Sequence, residues 1–288
     1  MSGGSTGIGG GEQGAPGPAR ERNGRVRDAT IPLRKLIPNL ITAASLCAGV
    51  AGVHFAQQGA FEKAIGAIVV AFVLDGLDGR MARLLKATSR FGETFDSIAD
   101  FTAFGAAPAF IMYQWIVQTH AVKSSQPWEA LVALVVVIYA LCAAIRLARF
   151  TMQARRKKIG APTTPFFQGL PAPASGGAAL VPAMLSLSSA SFVTPYWAAV
   201  AWLLLLSVFM VSTIPMLSIK GVRISRRLIL PLMAGVGILA LGVMKDAWLT
   251  GSVFFLLYLA TFPIAVVLHR RHERASAGAG LSSQGRRS

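Results

Sequence analysis

Eight stretches of mostly apolar residues, near 37–57, 61–83, 94–119, 128–150, 170–189, 196–219, 227–245 and 250–269, divide this chain into bilayer-sized lengths. Crossing the hydrocarbon takes about 20 such residues as a helix. In lipid the backbone must satisfy its own hydrogen bonds, so the repetition predicts an all-α, polytopic membrane bundle of about eight transmembrane helices. Composition agrees: charged residues make up 14% of the chain and hydrophobic ones 53%, whereas a soluble domain is about a quarter charged. The fifth stretch is the weakest, because proline and small residues interrupt it.

The basic residues set an orientation. Of the 28 lysines and arginines, all but Lys63, Lys123 and Lys245 fall on one side of this pattern. The positive-inside rule then places both termini, and the loop between the second and third stretches, in the cytoplasm. The net charge of +16 is spread as clusters between apolar runs. That distribution fits anionic membrane lipids as partners and gives no reason to expect nucleic acid. Residues 1–30 are rich in Gly, Pro, Ser and Arg and read as a disordered cytoplasmic tail, 31–270 as one membrane domain, and 271–288 as a polar cytoplasmic tail. The first apolar run begins only near Leu36, so no cleavable signal peptide is expected. Cys47 and Cys142 have no framework or metal-ligand spacing and read as packing residues. The four histidines lack ligand spacing too. Trp115, Trp128, Trp197 and Trp248 fall toward the outer ends and predict an interfacial belt. The small-residue run 174–179 predicts close helix packing, with a second copy of the chain as a candidate partner.

Acid is scarce, yet concentrated. The chain has 12 acidic residues, and Asp75, Asp78, Glu93, Asp96 and Asp100 all lie between 75 and 100. Carboxylates near a bilayer are costly unless compensated, so the cluster marks a functional site. Asp75 and Asp78 are three apart and Asp96 and Asp100 four apart, spacings that put each pair on one helix face. A short turn between the two helices would oppose those faces and gather four carboxylates. Oxygen ligands without His or Cys favour two divalent ions, Mg²⁺ or Mn²⁺. A two-metal clamp suits displacement at phosphorus. Gly79 removes a side chain beside a ligand, Gly92 permits close helix approach, and Arg83 offers a planar fork to phosphate oxygens. Two other readings stand beside this one: a salt-bridge network with Arg80, Arg83 and Lys86, and a cation transporter using the acids as a relay.

The pattern Asp-x2-Asp-Gly-x2-Ala-Arg-x8-Gly-x3-Asp-x3-Asp, complete from Asp75 to Asp100, resembles the signature of the CDP-alcohol phosphatidyltransferase family. The resemblance covers about residues 32–190, and the later stretches match only in hydropathy. It implies a six-helix membrane core, here with two further helices, in which an alcohol attacks a CMP-activated lipid and releases CMP. By the same resemblance Asp75, Asp78 and Asp96 bind two divalent metals, and Asp100 completes that site and acts as general base. Gly79 and Arg83 are implied to contact the diphosphate, with Ser89 a further candidate. Pro38, Asn39 and Thr42 resemble the family's first-helix segment near the nucleotide, although Asn39 and Thr42 also suit polar caps at a helix start.

Further stretches resemble the serine-using branch: 88–92, 96–100, 104–109, Arg146-Leu147-Ala148-Arg149-Phe150 and Phe167-Gln168-Gly169-Leu170-Pro171-Ala172-Pro173. That branch implies CDP-diacylglycerol and L-serine as substrates in a bacterial cytoplasmic membrane. Inositol phosphate and glycerol phosphate are the alternative acceptors. Thr151 stands where the branch usually has Asn. Arg146 and Arg149, three apart on one face at the cytoplasmic end of the fourth stretch, are candidates to bind the serine carboxylate or a lipid phosphate, or else anchors at the interface.

Overall fold

The computed structural model of the chain describes residues 33–87, 89–119, 126–158, 167–168, 170–190, 192–212, 215–216 and 229–261. The expected tails 1–30 and 271–288 lie outside the described residues, as do His120, His269 and His272. The described residues are helical apart from turns and one two-residue strand pair. The first helix, α1 (Leu33–Gln57), begins before the first apolar stretch and carries Pro38 inside it. It ends at Gly59, whose φ of +75° is the left-handed conformation that glycine adopts without steric cost. The next helix, α2 (Phe61–Leu84), returns along α1 and makes the largest interface in the molecule with it. Small residues permit this approach: a side chain at Gly52 would come within 3.1 Å of the Ala64 carbonyl.

The third stretch folds as one interrupted helix. It consists of α3 (Arg90–Asp100), a wider π-helical turn over Phe101–Ala106, and α4 (Ala107–Thr119). In that turn the Ala107 N–H reaches back five residues to Thr102. Pro108 supplies a reason, since proline has no N–H to give the carbonyl four residues earlier and its ring clashes there. A single wide turn just ahead of it relieves the conflict.

Three helices close on that turn through small residues. A Cβ on Gly49 of α1 would lie 2.9 Å from the Ala103 Cα. Gly105 meets Ala143 of α5 (Gln126–Lys158), and Gly176 of α6 (Ala172–Ala179) abuts the Phe104 backbone. The run 174–179 is therefore engaged in packing within the chain. The fifth apolar stretch is divided at Leu180, with α7 (Val181–Leu187) following, because Pro182 disfavours continuous helix before it. Beyond lie α8 (Tyr196–Val211), α9 (Ile229–Lys245) and α10 (Ala247–Thr261). The strand pair joins β1 (Phe167–Gln168) to β2 (Pro215–Met216), antiparallel.

The core gathers Ile65, Ile111, Trp115, Tyr139 and Leu203, with the Tyr139 hydroxyl donating to the Ser175 carbonyl at 3.0 Å. Burial of Trp115, only 2% exposed, corrects the expected aromatic belt: that ring faces the bundle interior. Trp128 and Trp197 are exposed as the belt requires, while Trp248 packs on the core. Segments Leu36–Gln57 and Pro127–Gln153 are long and apolar enough to cross a bilayer, and α8 and α10 are shorter apolar helices. The apolar side chains of α9, among them Met233, Ile238 and Met244, are exposed. Such a surface fits a membrane helical protein.

The connections α7–α8 and α9–α10 meet at one end. There Asp246 caps α10 by accepting from the Leu249 N–H at 2.9 Å, and it also accepts from the Ser189 hydroxyl and N–H, both at 2.7 Å. These donors, the Leu249 N–H foremost, hold its carboxyl below the usual range.

Candidate active site

The turn between α2 and α3 is built by local chemistry. Lys86 takes a positive φ of 48°, and the Ala87 N–H closes on the Ala82 carbonyl at 2.9 Å. Ser89 then caps α3, its hydroxyl accepting from the Gly92 N–H at 2.9 Å. Gly92 lies directly against α1, where a Cβ would come within 2.9 Å of the Asn39 Oδ1. The expected role of Gly92 in close helix approach is thus realised between α1 and α3.

This turn opposes the two acidic faces. Asp75, Asp78 and Asp96 each direct a carboxylate oxygen to a common point, all within 4.8 Å of one another. Asp100 joins through Asp75, whose carboxyl it hydrogen-bonds, and so stands beside this three-carboxylate group. Thr42, buried in α1, donates to the Asp78 Oδ2 at 2.6 Å and also approaches the Pro38 carbonyl at 3.1 Å. Because α1 begins at Leu33, Asn39 and Thr42 lie inside the helix, and the cap reading of these two residues is set aside. The charges acting on Asp96 belong to Asp78, Asp75 and Glu93, all negative. The salt-bridge network with Arg80, Arg83 and Lys86 is not what surrounds this carboxylate.

A cavity of about 290 Å³ opens beside the carboxylates. Its walls carry Pro38, Asn39, Thr42, Asp75, Asp78, Gly79, Arg83, Ser89 and Asp96, together with Ala82, Ala87, Gly92 and Glu93. At Gly79 a Cβ would meet nothing within 4 Å, so the glycine leaves open space rather than serving a helix contact. The donor set is entirely carboxylate oxygen, carries no balancing cation in the triad and borders open space. These residues fit hard divalent cations.

Arg146 and Arg149 part company. The Arg146 side chain is only 8% exposed, and its Nε is buried with no hydrogen-bond partner. Its guanidinium lies over the Phe150 ring at 5.7 Å, and Asp100 is the acidic group that acts on it. Arg149 is exposed and donates to the Val211 carbonyl at the end of α8, at 3.0 Å. Three residues along a helix turn the side chain by about 60°, enough to move it from the buried face to the rim. Thr151 donates to the Leu147 carbonyl at 3.0 Å and lies 3.5 Å from the Ser97 hydroxyl of α3. The Gln168 side chain and Gly169 lie outside what is described.

The π-helical turn beside Asp100 was not foreseen from the residues, although Pro108 was a usable signal for it.

A helical bundle that brings three carboxylates to one point beside an open cavity offers a place where a divalent cation could bind. Residues 35–212 match the family model for CDP-alcohol phosphatidyltransferase, and the chain belongs to that family. The match runs through α8, further than the residues 32–190 expected from motifs. A Mycobacterium leprae protein named CDP-diacylglycerol–serine O-phosphatidyltransferase is 36% identical over 235 residues, 81% of this chain and 75% of that protein. A Mycobacterium tuberculosis protein of the same name is 33% identical over 81% of this chain and 78% of its own length. A Helicobacter pylori protein so named is 37% identical over 141 residues, 49% of this chain and 54% of that protein.

The Gly92 contact yields a test of the site's construction. Gly92→Ala should displace the Asn39 side chain from the cavity wall and lower the melting temperature in detergent less than Gly176→Ala, which meets the Phe104 backbone and should cost about 1–3 kcal/mol. An equal or larger fall for Gly92→Ala would show that Asn39 cannot yield and that this contact sets the spacing of α1 and α3.

Proposed function

We propose that the chain transfers the phosphatidyl group of CDP-diacylglycerol to the hydroxyl of L-serine, giving phosphatidylserine and CMP. The observation that carries this reading is the convergence of Asp75, Asp78 and Asp96 within 4.8 Å at the wall of a cavity that Gly79 and Arg83 also line. The names of the relatives supply the acceptor.

In this reading Asp75, Asp78 and Asp96, with Asp100 completing the set, hold two divalent ions, Mg²⁺ or Mn²⁺. When bound, such ions neutralise charge on the diphosphate and on the departing CMP. Thr42 fixes the rotamer of Asp78 through its short hydrogen bond. Arg83 gives its fork of N–H donors to phosphate oxygens, and the bare backbone at Gly79 lets the diphosphate approach. Pro38, Asn39 and Ser89 line the nucleotide side of the cavity. The serine oxygen forms a bond to the lipid-linked phosphorus as the bond from that phosphorus to the CMP oxygen breaks. The hydroxyl proton passes to the Asp100 carboxylate, and CMP departs with the electron pair. Direct displacement needs no enzyme nucleophile, and holding the hydroxyl beside both phosphorus and base supplies much of the acceleration.

Arg146 is the better candidate for the serine carboxylate, because its guanidinium is buried beside Asp100 with a donor unspent. Arg149 is already engaged by a backbone carbonyl. The eight apolar stretches, read as membrane spans with both termini in the cytoplasm, put the aspartates at the inner leaflet of a bacterial cytoplasmic membrane. Residues 1–30 and 271–288 are read as tails flanking one domain.

Purified protein given CDP-diacylglycerol and Mn²⁺ or Mg²⁺ should release CMP with L-serine and not with inositol phosphate or glycerol phosphate. Asp100→Asn should lose at least about 100-fold in turnover, as expected for removal of a general base. Release only with another alcohol would reassign the acceptor, and no release with any acceptor would favour ion transport. Arg146→Gln should raise the serine KM about tenfold or more, as loss of a charge-assisted hydrogen bond implies. Arg149→Gln should leave that KM within about twofold, and the reverse order would exchange their roles.

A further inference from the structure

Thr42 lines the cavity with Pro38 and Asn39, on the stretch of α1 expected to face the nucleotide. Its hydroxyl is turned to the carboxylates instead. Thr42 and Asp78 are both buried, 5% and 4% exposed, and their oxygens stand 2.6 Å apart across the α1–α2 interface. The Pro38 carbonyl, at 3.1 Å, is a second acceptor for the same hydroxyl. A threonine hydroxyl has one hydrogen, and the nearer carboxylate oxygen takes it, because charge-assisted hydrogen bonds are the shorter and stronger ones. That hydrogen is spent on Asp78 and is not offered to a nucleotide.

The helix pair fixes the point from which Thr42 donates. Ser45, three residues further along α1, is buried and donates to the Ala71 carbonyl of α2 at 2.9 Å. Ala71 lies about two helical turns before Asp78. Two buried hydroxyls of α1 thus fasten it to α2 at two levels, and β-branching restricts the Thr42 side-chain torsion. The bond engages Oδ2 of Asp78. A carboxylate with one oxygen held at 2.6 Å offers a cation its other oxygen, Oδ1, in preference to a two-oxygen clasp. Mg²⁺ and Mn²⁺ are small octahedral ions that take single carboxylate oxygens. Ca²⁺ is larger, gathers about six to eight oxygens and uses carboxylates through both of theirs.

We infer that Thr42 is a positioning residue that sets the cation preference of the site: by engaging Oδ2 of Asp78 it keeps that ligand to one oxygen, and so favours Mn²⁺ and Mg²⁺ over Ca²⁺. This rests on the proposed cation site and deepens it, naming the side chain that selects among divalent ions. A group hydrogen-bonded to a metal ligand orients that ligand, so removing it registers first in metal affinity.

The test is cation binding by the full-length protein in detergent, without substrate. Bound Mn²⁺ is followed by electron paramagnetic resonance while Ca²⁺ is titrated against it. Thr42→Val keeps the side-chain shape and removes the hydroxyl, whereas Thr42→Ser keeps the hydroxyl and removes the methyl. Thr42→Val should weaken Mn²⁺ binding about tenfold, as loss of a partner that orients a metal ligand implies. Its Ca²⁺ affinity should stay within about twofold, so the preference for Mn²⁺ over Ca²⁺ falls by about the same tenfold. Thr42→Ser should keep the wild-type preference, and Thr42→Ala, expected to behave as the valine variant, serves if valine disturbs the fold. An unchanged preference without the hydroxyl, an equal weakening of both ions, or a serine variant that behaves like valine would overturn the inference and leave the cation site standing. Wild-type protein that binds no Mn²⁺ would overturn the site and this inference with it.

Discussion

Repulsion among the acidic side chains is the constraint around which the rest is arranged. Three carboxylate oxygens lie within 4.8 Å of one another, with Asp100 attached through Asp75. At that separation two like charges repel by about 3 kcal/mol at an effective dielectric near 20. The hydrogen bond from Thr42 to Asp78 returns about 1 kcal/mol. Side-chain contacts therefore do not hold the cluster together, and the packing of α1, α2 and α3 must do so. A cluster maintained against its own repulsion could be relieved by a bound cation, which is the reading proposed for it.

The packing that opposes the repulsion uses backbone-to-backbone approach. At Gly49 and Gly176 a Cβ would come within 2.9 Å of the backbone of another element, whereas at Gly92 it would meet the Asn39 side chain at 2.9 Å. Two of these contacts converge on the π-helical turn after Asp100, and the third pins α3 to α1 beside the cavity. Rigid seating of this kind matters for displacement at phosphorus, where misplacement of the base by about 1 Å costs on the order of 100-fold in rate. The wide turn ahead of Pro108 lets α3 and α4 follow different paths within one helix, so the Asp96–Asp100 face is aimed independently of the core-packing face around Trp115.

Much of this was legible in the residues. The spacing of the four aspartates, with Gly79 and Arg83 between them, carried the site, and every nucleotide-side candidate from Pro38 to Ser89 lines the one cavity. Apolar length gave the helical architecture, because in a bilayer-sized stretch period and length agree. What failed were inferences about which face a residue takes. Trp115 lies near a helix end but on its inner side, and helix position alone does not distinguish an interfacial ring from a core ring. Arg146 and Arg149 share a face by spacing, yet the boundary of burial passes between them.

On the acceptor side, one buried arginine lies near the proposed base. The central proposition, that the cluster holds divalent ions, is tested most directly by Mn²⁺ titration of the full-length protein followed by electron paramagnetic resonance, without substrate. Wild-type protein is expected to bind Mn²⁺ at saturable sites that Asp78→Asn/Asp96→Asn removes while the helical content stays unchanged. Equal Mn²⁺ binding by the wild type and that double variant would contradict it.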